Sequence, residues 1–106
     1  MPESQPEIAK MYDKIAGDDA TLRRHWNRVM DDSNTCGSRS GGIDVSKQHE
    51  GDRLGPPFHE VAIYFKHQHR IHEVARWPLE DAPNDPMPAV RRQLKQTETQ
   101  ESEDGN

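Results

Sequence analysis

Apolar residues along this chain change their spacing part-way, and the change divides the fold. Ile8, Met11, Tyr12 and Ile15 recur at i, i+3, i+4 and i+7, the interval that lines up one face of an α-helix. Leu22, Trp26, Val29 and Met30 form a second helical stripe at i, i+4, i+7 and i+8, with Gly17-Asp18-Asp19 between the two groups. Glycine commonly ends a helix, and aspartate caps the next one by accepting its free N–H groups. Leu22 lies seven residues after Ile15, so the stripes read either as one bent helix or as a helix pair over 7–31. In Phe58–Leu79 the pattern becomes β-like. Val61 to Phe65 is an unbroken run of β-branched and aromatic side chains around one alanine, and Ile71 to Trp77 is a second run. A hairpin over 58–79 with its loop at 67–70 sets Lys66 opposite Ile71 and Tyr64 opposite Glu73. Val61, Ile63, Phe65 and Val74 then share one face, and Ala62, Tyr64, Ala75 and Trp77 the other. With apolar residues on both faces, a cover on each side is expected. The loop lacks the Gly, Asn or Asp that tight hairpin turns favour, so a strand followed by a short helix over 69–77 competes. Pro78 ends either version.

The remaining segments read as connections. Ser33–Pro57 holds five of the seven glycines without strong periodicity, the composition of a long mobile loop. Residues 80–95 read as a Pro-rich arm followed by a short helix, with Val90 and Leu94 on one side. Residues 96–106 contain no apolar side chain and four acidic ones, which predicts a disordered acidic tail, and 1–6 a disordered N-terminus. The expectation is an α+β protein with a single small domain over 7–95. Its N-terminal helix or helix pair packs on a small antiparallel β-hairpin or sheet.

Composition sharpens this in one respect. Four Leu, five Ile, five Val and two Phe make up about 15% of the 106 residues, below the roughly 20% at which chains struggle to bury enough surface. The net charge of −5 is modest. A minimal core is therefore expected, supported by a partner or by a second copy of the chain in a homodimer. No apolar run approaches a membrane span of about 18 residues. The acidic N-terminus does not resemble a secretory signal, and one cysteine, Cys36, makes no internal disulfide. These features point to the cytoplasm.

Candidate chemistry is sparse. Gly37 to Gly42 reads GSRSGG, without the Gly-Lys-Ser/Thr ending of a phosphate-binding loop, and Cys36 has no neighbouring His. No enzyme activity and no cofactor is expected. His67, His69 and His72 fall within six residues, with His59 on the facing run. His67 and His69 joined by His72 or His59 could form a three-histidine metal site with an open position, although surface histidines beside Lys66 and Arg70 are the ordinary explanation. Arg23, Arg24 and Arg28 on the second helix, with Lys66 and Arg70, are the candidate nucleic-acid contacts. Against them, Asp18-Asp19 and Asp31-Asp32 bracket the arginines, and a nucleic-acid footprint is normally basic. The leading expectation is a small non-enzymatic regulatory protein, an inhibitor or accessory subunit of phage or accessory type, that binds a larger protein partner. Tyr64, Trp77, Met87, Val90 and Leu94 are its candidate contacts.

Overall fold

The computed structural model describes residues 9–12, 14, 19–49 and 57–104, with side chains through Lys95. Ile8, Ile15, Gly17-Asp18 and the N-terminal segment 1–6 lie outside the described residues, as do 50–56 of the expected loop. The architecture is α+β. Helical residues 9–12 and 14 form α1, followed by α2 (Asp19–Asp31), β1 (Gly37–Ser40), β2 (Ile43–Gln48), β3 (Glu60–His67), β4 (Arg70–Pro78), a 3₁₀ turn (Leu79–Asp81) and α3 (Met87–Asp104). The strands form one antiparallel sheet in the order β1-β2-β3-β4, each paired with its neighbour in sequence.

All three helices lie on one face of that sheet. Leu22, Trp26 and Val29 of α2, Met11 and Tyr12 of α1, and Met87, Val90 and Leu94 of α3 are buried against Ile43, Val45, Val61, Ile63, Phe65 and Val74. Tyr12 stacks on Phe65 at 5.4 Å between ring centroids, and Trp26 meets Trp77 edge-on at 5.2 Å. Two ion pairs close the helical layer. Arg91 of α3 bonds Asp19 at the start of α2 at 2.6 Å, and Arg23 of α2 bonds Asp85 just ahead of α3 at 3.1 Å. Tyr12 donates its hydroxyl to Asp19. Asp85 also accepts the Met87 backbone N–H at 3.0 Å, satisfying a donor that the helix start would otherwise leave free.

Part of the expected loop is sheet. Residues 37–48 fold as a β1–β2 hairpin whose two-residue turn has Gly41 at φ 60°, the left-handed geometry that glycine adopts without strain. Ile43, Val45 and Lys47 point to the helices while Asp44, Ser46 and Gln48 do not, a period-2 alternation that marks a strand with one covered face. The acidic tail likewise continues α3 as far as Asp104, a run without Gly or Pro in which Gln and Glu favour helix.

The β3–β4 hairpin has the expected register, with Lys66 opposite Ile71 and Tyr64 opposite Glu73. Its turn is Gln68-His69, at φ 53° and 67°. Left-handed backbone costs a side-chain-bearing residue roughly 1–2 kcal/mol, so pairing has outweighed turn preference. The face assignment needs correcting beyond Val74. Ile63 pairs with Ala75 while Tyr64 pairs with Glu73, leaving Val74 as a bulge. One extra residue reverses the alternation, so Ala75 and Trp77 join Val61 and Ile63 under the helices. The sheet therefore has one apolar face, and no second cover is needed.

Candidate interaction face

The uncovered face is polar and organised around Arg76. This side chain donates to Glu73 at 2.7 Å, Glu60 at 2.7 Å, Gln48 at 3.2 Å and the Tyr64 hydroxyl at 2.9 Å. Gln48 also donates to that hydroxyl, at 2.9 Å. Contacts from three strands thus converge on a guanidinium whose charge is held more firmly than usual, first by Glu73 and then by Glu60. On the same face Lys66 pairs with Asp44 at 3.4 Å, and Ser46 donates to Asp44 at 2.8 Å. Ile71 stands beside Lys66 with 63% of its surface exposed, the one large apolar side chain so exposed among the described residues. Arg39, Lys66 and Arg76 balance Asp44, Glu60 and Glu73, so the face carries both signs and no net charge.

Beneath the sheet, His25 of α2 and Ser38 of β1 share a buried hydrogen bond of 2.7 Å, and His25 Nε2 is buried without a partner. A serine–histidine pair can serve nucleophilic catalysis, but a nucleophile must meet its substrate, and Ser38 is buried. The pair fastens α2 to β1. Burial, followed by the charges of Arg24 and Arg28, holds His25 below the ordinary imidazole value of 6.5. The unfolded chain therefore takes up this proton first. The contribution of His25 to stability should be constant above about pH 6.5 and fall as pH drops below it toward the lowered folded-state value. Melting temperatures from pH 8 to 5 check this, with His25→Gln expected to flatten the profile. Equal slopes in both proteins would assign the acid loss elsewhere.

The structure redistributes the residues singled out from sequence. Tyr64 is on the open face. Trp77 is half-buried against Trp26, and Met87, Val90 and Leu94 lie in the core. The surface expected from those four is the surface that holds the molecule together. The four histidines do not converge. His59 and His67 flank opposite ends of β3, roughly 25 Å apart at strand rise. His69 sits in the turn, and His72 lies opposite Phe65 on the helix side. Among the described residues no group of three or more His, Cys, Asp or Glu is placed to hold a metal ion. His67 instead lines a pocket of about 150 Å³ with Lys10, Lys14 and Arg70, a setting that repels a metal cation. The proposed nucleic-acid contacts are also divided. Arg23 is tied to Asp85, Arg24 and Arg28 are exposed on α2, Arg70 is beside α1, and Lys66 pairs with Asp44 on the far side of the sheet.

Sequence reasoning missed Gln48, Glu60 and Arg76 as a connected group, as well as Lys47 and His25. The alternation of Ile43 to Gln48 after Gly41-Gly42 was the available signal, since it places Gln48 on Tyr64's face. Comparison with known proteins adds no identity: no family model matches the chain, and no curated protein or solved structure matches it. Among the described residues no helix is long and apolar enough to cross a membrane.

Proposed function

We propose that this is a small non-enzymatic interaction protein that docks on a larger protein through the open sheet face, with Tyr64 and Arg76 at the centre. The observation that carries this reading is the Arg76 network, which holds both side chains in place on a face the helices leave bare. Tyrosine and arginine supply a large share of binding energy where they are central in an interface. Fixing them beforehand reduces the entropy lost on association. The mixture of signs suits a protein surface of alternating charge, whereas a phosphate backbone would meet Glu60 and Glu73 as readily as Arg76. Exposed Ile71 supplies an apolar anchor on the same face.

The ordinary alternative is a solvated sheet face tied by cross-strand ion pairs, and capture from host lysate distinguishes the two. The wild-type chain should retain one stoichiometric protein after nuclease treatment. Tyr64→Ala and Arg76→Ala should each weaken the affinity for that protein about 30-fold, equivalent to about 2 kcal/mol, with unchanged circular dichroism and visibly lower recovery. Arg24→Ala, on the helical side, should have no effect. Recovery insensitive to both face variants would defeat the proposal, as would recovery abolished by nuclease.

A further inference from the structure

Lys47 is the fifth residue of β2 and points to the helix side, where every other inward residue of that strand is apolar. It is 7% exposed. Its Nζ donates one hydrogen bond, to the backbone carbonyl of Asp32 at 2.8 Å, and lies 5.0 Å from the centroid of the Phe58 ring. Among the described residues no carboxylate pairs with it. An ammonium has three protons to place, and a buried cation with a single neutral acceptor is short of compensation. Burial accordingly lowers its affinity for the proton, and Asp32 offsets this only in part.

This amine opens onto a pocket of about 500 Å³ lined by Met30, Ser33, Lys47, Pro57, Phe58 and Leu79. The pocket is a depression open to solvent on one side, and its lining is mostly apolar with a few polar groups that could orient an occupant. Phe58 is itself held in place, stacked on His49 at 6.0 Å. We propose that the pocket binds a small carboxylate with an apolar tail, its head on Lys47 Nζ and the Ser33 hydroxyl and its tail along Met30, Phe58 and Leu79. A single negative charge matches the single buried positive one, and a carboxylate supplies the charge-assisted acceptors that Nζ lacks. A dianionic phosphate would bring a second charge into apolar walls, where it would go unanswered. The site is separate from the open sheet face, because Lys47 projects from the opposite side of β2.

Octanoate and the uncharged 1-octanol are suitable probes, titrated into the full chain by calorimetry and by amide NMR. Octanoate should bind at least about tenfold more tightly than octanol, a difference of about 1.4 kcal/mol. Lys47→Met, which keeps most of the apolar stem and removes the ammonium, should abolish that preference while leaving octanol binding intact. A second measurement needs no variant. The Lys47 Cε resonance, followed against pH in wild-type protein, should titrate at higher pH once octanoate is saturating, because a bound anion favours the ammonium. Equal affinity for acid and alcohol, no binding of either, a preference that survives Lys47→Met, or a Lys47 titration unmoved by octanoate would each overturn the assignment.

Discussion

Replacing Trp26 with alanine should cost about 3–5 kcal/mol of stability, the range for truncating a buried aromatic side chain. The residue is 1% exposed, its ring meets Trp77 edge-on at 5.2 Å, and its Nε1 donates to the Pro83 carbonyl at 3.2 Å. Alanine therefore removes the packing and the aromatic contact together, and deprives the Pro83 carbonyl of its donor. In a domain of this size, with a stability of about 5–10 kcal/mol, that is a large fraction of the total. Trp26→Phe keeps most of the ring and loses the hydrogen bond, so about 1–2 kcal/mol is expected. Arg24→Ala, exposed on the same helix, should stay within about 0.5 kcal/mol. Denaturant titrations of the three variants check the series. A Trp26→Ala cost below about 1 kcal/mol would mean that α2 does not cover the sheet.

Val90→Asp should have an effect as large, about 4 kcal/mol or more, because it places a carboxylate at a fully buried position without a partner. This substitution decides between two destinations for the same stripe. Met87, Val90 and Leu94 share one face of α3, and the sequence pattern is equally consistent with a face turned to another protein. If the stripe packs on the sheet, Val90→Asp lowers the urea midpoint sharply, while Arg92→Asp at an exposed position barely moves it. Similar midpoints for the two variants would return the stripe to the surface and restore it as a partner contact.

The contrast between these residues shows what the chain's pattern discloses. The stripe around Trp26 was legible because helical spacing and large apolar side chains coincide there. The β3–β4 register was legible because two runs of strand-forming residues flank a short polar gap. What each face meets was harder to read. Trp77 falls on the face of Tyr64 when alternation is carried straight through Val74, and nothing in Glu73-Val74-Ala75-Arg76 marks the bulge there. Strand β2 was hidden because only Ile43 and Val45 are apolar at its inward positions and the third is Lys47. Val90 and Leu94 share a side in the sequence pattern, and the structure buries that side together with Met87 against the sheet, since periodicity defines a face without naming what covers it. The Arg76 network depends on three strands meeting in register, which a reading that stopped at one hairpin does not contain.

The two ion pairs of the helical layer also bear on the order in which the chain assembles. Every strand pairs with its sequence neighbour, two of the ladders across two-residue turns and the β2–β3 ladder across residues 49–59, all far closer in sequence than the helices. Asp19 and Arg91, by contrast, are separated by 72 positions, and Arg23 and Asp85 by 62. Closing a flexible loop costs about 0.6 kcal/mol more for each doubling of its length, so the α2–α3 seam is entropically the dearest contact to make before the sheet exists. Once the meander has formed, it spans most of that distance, and the two ends arrive side by side. The expected order is therefore sheet first and seam last, and the seam should loosen first when salt screens its exposed charges.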